Sequence, residues 1–527
     1  MATVSNPILP GFHPDPCIIR VGHWYYLATS TFEWWPGVRL HRSKDLANWE
    51  LVGGILDRVS QLDLRGIPPS GGVWAPALSF HDGLFWLVYS SVAAFNGSSK
   101  DLRNFLVTAP AIDGPWTDPI SLNASGFDPS LFHDADGRKW LVSQYWDARP
   151  GKNPFAGILL QEFDVAARRL IGEPKNIFTG SPIGITEGPH LYAKDGYYWL
   201  VTAEGGTGEN HAVTVARSRT IEGPYELSPY HPLLSTSSDL KFPLQKSGHA
   251  SFVNSPQGEW FLVHLCSRPV PGTNRCMLGR ETALQRFVWP DKDWPRLASG
   301  GPMPELTVEI SHAAKATPYP AQFRDDFNQP ALRPEWNTLR EPPADTWLDL
   351  AGRPGWLRLK GRHTLQSNFE QSLVGFRLLH LNADVSVTLD YAPKNWQQSA
   401  GLSLFYNSLA FISLHVTAND AGEREAHLVI SECGKLRREK NPLLLPGTGP
   451  VRLAVALNQG RAKFFAATAG APPEQVGQDV DATILSDDHL IENKCWAFTG
   501  TFITLSAHDA SDAAPTADFQ QFEYVGR

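Results

Sequence analysis

The first half of the chain writes one short phrase five times, and this repeat constrains the fold more than any other feature. Its turn glycines are Gly22, Gly83, Gly137, Gly196 and Gly258, spaced by 61, 54, 59 and 62 residues. An aromatic stands three residues after each, as Tyr25, Trp86, Trp140, Trp199 and Phe261, and four of the copies continue Leu-Val. The fourth copy is the plainest: an apolar run from Glu187 meets the Asp195-Gly196 turn and returns as Tyr197-Tyr198-Trp199-Leu200-Val201. Two such runs joined by Asp-Gly predict a hairpin. Hairpins repeated at a long, nearly constant period predict a β-propeller with one blade per copy. A second recurrence, Asp113-Gly114-Pro115-Trp116 and Glu222-Gly223-Pro224-Tyr225, falls two copies apart and fits four strands per blade.

The same origin picks out a second column. Nine residues before the glycine stand Trp74, Asp128, Glu187 and His249, and the first copy, with a turn two residues shorter, offers Asp15. The first strand of every propeller blade lines the central channel. Equivalent positions on five blades therefore converge, although they are far apart in sequence.

Beyond the repeats the pattern changes. Ser311 to Gln322 is small residues and prolines, a linker by composition. After it, Val385–Leu389, Leu402–Tyr406, Ile412–Val416, His427–Ile430 and Val451–Leu457 are strand-length runs bounded by turn residues. Short, regular strands without the first region's motif predict a β-sandwich, jelly-roll-like. The expected architecture is all-β: a five-bladed propeller over 1–310, a linker over 311–322 and a sandwich over 323–527.

Composition narrows the function. A chain of 527 residues has room for two domains, and 46 Lys and Arg against 54 Asp and Glu give a net charge of -8. An acidic chain with no basic cluster is no candidate for nucleic acid or an anionic membrane. The 18 Trp suit the flat CH faces of sugars. Cys17, Cys266, Cys276, Cys433 and Cys495 show neither metal-ligand spacing nor a disulfide framework. The start carries no charged and apolar leader, so a cytoplasmic location is the expectation.

Any one column carboxylate, alone, could merely satisfy backbone N–H groups at a strand start. Three gathered on an axis repel one another and raise at least one pKa, so their joint presence needs a reason. Glycoside hydrolysis supplies it, with one carboxyl to protonate the leaving oxygen and another to activate water. Trp74 would be a stacking platform. His249 is open between a buried core histidine, a substrate contact and a ligand for a channel cation. Arg280 is open between a substrate contact and an ion pair with Glu281. The run Glu204-Gly205-Gly206-Thr207-Gly208 lacks the Lys-Ser/Thr of a phosphate-binding loop.

Six motifs now stand in order: Gly11-Phe12-His13-Pro14-Asp15-Pro16, Ser30-Thr31-Phe32-Glu33-Trp34-Trp35-Pro36-Gly37-Val38, Gly72-Val73-Trp74-Ala75-Pro76, Phe127-Asp128-Pro129-Ser130-Leu131-Phe132, Thr186-Glu187-Gly188-Pro189-His190 and Leu278-Gly279-Arg280-Glu281-Thr282. Together they resemble family 43 glycoside hydrolases, most nearly the two-domain β-xylosidases among them. Phe498-Thr499-Gly500-Thr501-Phe502 resembles a strand of their C-terminal sandwich, which extends the likeness to the end of the chain. The resemblance implies an inverting exo-glycosidase with Asp15 as base, Glu187 as acid and Asp128 as orienter of the acid. It implies a terminal-sugar pocket of Phe32, Trp74 and Phe127, with Arg280 and Thr207 contacting substrate and Trp146 flanking the leaving sugar. Phe502 is expected to reach over the pocket, so that the sandwich closes the active site. No cofactor is required, while His249 in some relatives helps hold a divalent cation, calcium being the one expected in the propeller channel. The expected partner is a xylo-oligosaccharide, and the resemblance leaves room for a homo-oligomer, a dimer or tetramer. α-L-Arabinofuranosidase activity is the nearest rival reading, and a non-catalytic carbohydrate-binding propeller is the rival from another class. One departure is Ala77, where the family pattern leads one to expect Asp after Trp-Ala-Pro.

Overall fold

A computed structural model describes residues 2–313 and 315–527, so Met1 and Ala314, the latter within the expected linker, lie outside it. The repeat becomes five antiparallel sheets arranged as propeller blades. Their inner hairpins are Cys17–Val21 with Trp24–Thr29, Ala77–His81 with Leu84–Ala94, Ser130–His133 with Lys139–Trp146, Glu187–Lys194 with Tyr197–Glu204, and Gln245–Asn254 with Trp260–Ser267. Each blade continues outward, as in blade 1, where Gly37–Ser43 and Glu50–Leu56 complete a four-stranded sheet. The column of turn glycines has a backbone cause. All five have positive φ, between 60° and 90°. Space is not the reason, because a Cβ on Gly22, Gly83, Gly137 or Gly258 would meet nothing within 4 Å.

The Leu-Val pairs show where the core lies. Leu87, Val88, Leu141, Val142, Leu200, Val201, Leu262 and Val263 are all buried, although neighbours in a strand face opposite ways. Both faces of each blade are therefore covered by the next blades, which calls for continuous rather than alternating apolar runs. Four apolar clusters fill the seams: between blades 1, 2 and 3, between 3 and 4, between 4 and 5, and between 5 and 1. The strand Ala2–Ser5 pairs with Thr307–Ile310, joining the start of the propeller chain to its end.

The second region forms an eight-stranded and a nine-stranded sheet packed over one large core. The five runs read from the sequence all lie within strands of these two sheets. One strand of the larger sheet comes from the propeller. Trp34–Trp35 of blade 1 pairs with Trp336–Leu339 of the sandwich, Leu339 opposite Trp34 and Thr338 opposite Trp35. Trp34 stacks on Phe502 at 3.8 Å between ring centroids.

Further links cross the same seam. Lys246 is buried against Asp487 and Asp488 of the short helix Asp487–Glu492, at 3.2 and 2.6 Å. Arg340 of the sandwich donates to the Ile67 carbonyl of the propeller at 2.6 Å. A chain ending at residue 310 would expose the apolar seam around Trp34 and strip Lys246 of both carboxylate partners. Residues 1–310 expressed alone should be insoluble or nearly inactive; a soluble, fully active truncation, read by gel filtration and xyloside hydrolysis, would contradict this.

Candidate active site

All five column residues, Asp15, Trp74, Asp128, Glu187 and His249, line one cavity of about 520 Å³. Convergence alone does not aim the side chains; the local backbone does. Asp15, Asp128 and His249 adopt left-handed φ values of 53°, 53° and 50°, and Gly188 beside Glu187 has 55°. Such conformations are uncommon for residues with a Cβ and persist only where the surroundings hold them. At blade 5 the ladder shifts register across Gly248 to Ala250, which marks a bulge under His249. In blade 4 the register shifts between Glu187 and His190 in the same way.

The carboxyl groups have three different environments. Asp15 is 5% exposed; its Oδ1 accepts from Arg280 Nη1 at 2.6 Å and its Oδ2 from the Ser30 hydroxyl at 2.5 Å. Asp128 Oδ2 accepts from the backbone N–H of Gly188 at 3.2 Å, which ties it to the residue after Glu187. Burial, then Glu187, then Asp15 push the Asp128 carboxyl well above its usual range. Burial, then Asp15, push Glu187 up to about 8, against the pull of Arg280 and Lys100. The site therefore holds a proton on the Asp128–Glu187 side and an ion pair on the Asp15 side.

Around them stand apolar walls. Phe32, Trp74, Phe127 and Trp146 line the cavity, with Trp74 and Phe127 edge to face at 5.2 Å. Thr207, His249 and Arg280 line it too. The alternative of an Arg280–Glu281 pair is not what the fold builds, because Arg268 holds both oxygens of Glu281 at 2.7 Å. Arg280 Nη2 donates to the Phe498 carbonyl at 2.9 Å, and its buried Nε has no protein partner.

Phe502 does not reach the cavity. Its strand, Phe502–Asp509, turns the ring onto Trp34 and Phe12, where it is fully buried in the seam. The sandwich instead lines the cavity with Phe498, Trp496 and Ile491, from the segment leading into that strand. Phe498 packs near Trp74 and Phe95, at 6.1 and 5.7 Å. For the channel cation expected beside His249, His249 is the one expected ligand, and it lines the cavity. Among the described residues no three His, Cys, Asp or Glu are grouped to hold a metal ion. His249 is driven below its usual range by burial, which suits a neutral hydrogen-bonding imidazole.

Two titratable lining residues, Lys100 and His211, are not marked by any motif in the sequence. Lys100 places its Nζ 4.1 Å from the Trp146 ring centroid and donates to the Phe95 carbonyl at 3.2 Å. Burial pushes it down to about 8, with Glu187 opposing. His211 is held to about 3 by burial, then by His249, and its Nδ1 lies 3.1 Å from the Lys246 carbonyl. Neither lies in the repeat column; Lys100 comes from a loop beyond the blade 2 hairpin, and His211 from a loop beyond that of blade 4.

Comparison with known proteins shows the family of the chain. Residues 4–295 match the family model described as glycosyl hydrolases family 43, and residues 324–525 the one described as the β-xylosidase C-terminal concanavalin A-like domain. The chain belongs to glycoside hydrolase family 43. It is 46% identical to "Xylosidase/arabinosidase 43B" of Humicola insolens, over 99% of this chain and 98% of that one. It is 42% identical to "Xylan 1,3-beta-xylosidase" of a Vibrio species, over 99% of each. The crystal structure of a xylan β-1,4-xylosidase from Bacillus halodurans C-125 superposes with a TM-score of 0.95 at 46% identity, covering 99% of this chain and 100% of that one.

For this family 43 chain the electrostatics give a pH signature. Glu187 must be protonated to act as an acid, and its raised pKa keeps it so up to about pH 8. Above that value the proton is lost, and an activity that draws on it should fall. The kcat/KM profile on a xyloside with a poor leaving group should show an alkaline limb near pH 8. In Glu187→Gln the remaining activity should lack that limb; a limb unchanged in the variant would assign it to another group.

Proposed function

We propose that the protein is an inverting exo-β-xylosidase that releases D-xylose from the non-reducing ends of β-1,4-xylo-oligosaccharides. The observation that carries this reading is the convergence of Asp15, Asp128 and Glu187 in one aromatic-walled cavity shared by both domains. In the proposed reaction Asp15 takes a proton from a water molecule, whose oxygen attacks the anomeric carbon. The glycosidic C–O bond breaks as Glu187 gives its proton to the leaving oxygen, and the configuration inverts. Asp128, bonded to the Gly188 N–H, orients the acid and helps keep it protonated. Arg280 compensates the buried charge of Asp15. The reaction uses side chains of this chain and water, and no step runs through a cation.

Substrate choice follows from the walls. Phe32, Trp74 and Phe127 can enclose a pentose, while the extra hydroxymethyl of a hexose would meet them, and steric exclusion discriminates well. The names of the two β-xylosidase relatives support xylose; the 1,3-xylosidase and the xylosidase/arabinosidase keep two second readings in view. Five free cysteines support a reducing, cytoplasmic setting.

The test has two parts. An early NMR time course on a β-xyloside should show α-xylose first; initial β-xylose would mean a covalent intermediate and remove Asp15 from its role. In substrate comparison, kcat/KM should be higher for aryl β-D-xyloside than for aryl α-L-arabinofuranoside, and negligible for β-D-glucoside. Among xylobioses the β-1,4 isomer should exceed the β-1,3 isomer, and the reverse order would move the reading to the latter linkage.

Glu187→Gln should lower activity on xylobiose by roughly 10²–10⁴-fold. Aryl xylosides with acidic phenols need little protonation and should lose much less. Equal losses on both would count against Glu187 as the acid.

A further inference from the structure

Behind the segment that carries Asp15, at the seam between the two domains, four basic side chains are buried together. Arg39 and His41 lie two residues apart on the blade 1 strand Gly37–Ser43, so they share a face. Arg377 ends the sandwich strand Ser372–Arg377, and His13 stands two residues before Asp15. Their exposures are 2% for Arg39 and His13, 1% for His41 and 4% for Arg377. The rings of His13 and His41 are 5.0 Å apart.

The partners these groups do have are neutral. Arg39 Nη2 donates to the Pro334 carbonyl, Arg377 Nε to the Phe12 carbonyl at 2.7 Å, and Arg377 Nη1 to Asn337 Oδ1. His13 Nδ1 lies 3.1 Å from the Pro10 carbonyl. Among the described residues neither guanidinium has a carboxylate within ion-pair distance. Of the acidic groups near Arg39, the Tyr319 phenol, which also acts on Arg377, is pushed up by burial and keeps its proton, and Glu335 is already paired with Arg333 at 2.8 Å. Arg39 Nε, Arg377 Nη2, both ring nitrogens of His41 and the Thr29 hydroxyl have no protein partner. Thr29 is the register partner of Arg39, so its side chain lies on the same face.

Two full positive charges held by neutral carbonyls in a buried seam are costly without a counter-charge. The histidines do not add to the charge: burial first holds both well below their usual range, followed by Arg377, His41 and Arg39 for His13 and by the two arginines for His41. Water can fill individual hydrogen bonds, but it brings no negative charge, and a guanidinium offers it only donors. We propose that this seam binds one small monovalent anion of chloride size between Arg39 and Arg377, with His41 and the Thr29 hydroxyl as further donors. The near-complete burial of all four basic residues limits the ligand to a single compact ion. Arg377 holds the carbonyl of Phe12, three residues before Asp15, so the ion would brace the catalytic segment against the sandwich.

The test uses the full chain. Crystals soaked in bromide should give an anomalous peak between Arg39 and Arg377. Protein dialysed into gluconate should gain thermal stability when chloride or bromide replaces gluconate at constant ionic strength, with Tm rising with the logarithm of halide concentration. Arg39→Met should abolish that dependence. The proposal is overturned by a bromide-soaked crystal without a peak at these residues, or by identical wild-type unfolding curves in chloride and gluconate. These two wild-type measurements decide the matter even where the Arg39→Met variant does not fold.

Discussion

Three carboxyl groups are brought into one largely buried cavity, and among the described residues a single ion pair, Arg280 to Asp15 at 2.6 Å, compensates them. The rest of the site follows from that asymmetry. Only one carboxyl has a cation in contact with it, so burial first, and then the neighbouring carboxylates, raise the pKa values of the other two, Glu187 against the weaker pull of Arg280 and Lys100. The guanidinium thus separates the carboxyl groups by role without touching two of them. Moving Arg280 to pair with its neighbour Glu281 would erase the distinction. Arg268, with the Gly11 N–H, already takes up both oxygens of Glu281.

The propeller makes the convergence possible, but its regularity has to be broken for the side chains to meet. A regular strand directs alternate residues to the faces of a blade, into the neighbouring blades. At the axial end of the inner strands, Asp15, Asp128 and His249 take left-handed backbone conformations, and Glu187 is followed by a left-handed Gly188. Each break turns a residue out of the ladder and toward the cavity. The close packing of Gly188 against the His249 ring, where a Cβ would come within 2.9 Å, links two of these breaks across adjacent blades.

How much of this the sequence discloses depends on whether the information repeats. The five turns, the buried Leu-Val pairs and the column of Asp15, Trp74, Asp128, Glu187 and His249 are legible because each is written several times in register. Loop residues are written once, so Lys100 and His211 leave no trace that distinguishes them from other loop residues. The sandwich contribution is a subtler case. Phe498 and Phe502 frame one short motif, and choosing between them requires knowing where the strand begins. It begins at Phe502, whose ring is thereby committed to the sheet face and to Trp34, while Phe498, still in the approach, is free to line the cavity. The sharing of Trp34–Trp35 between domains was equally hidden, since nothing in a two-residue strand announces its partner.

A division of labour in which the propeller does chemistry and the sandwich merely covers it does not survive these contacts. Arg280 has two anchored nitrogens. One holds Asp15 and the other donates to the carbonyl of Phe498, a residue of the sandwich. A planar guanidinium fixed at two of its corners has its third, Nε, fixed as well, and that is the corner left without a protein partner. The second domain therefore sets the orientation of the cation on which the carboxyl electrostatics rest. The same seven-residue stretch supplies Trp496 and Phe498 to the cavity wall and Phe502 to the interface, so docking, closure and charge placement are one structural event.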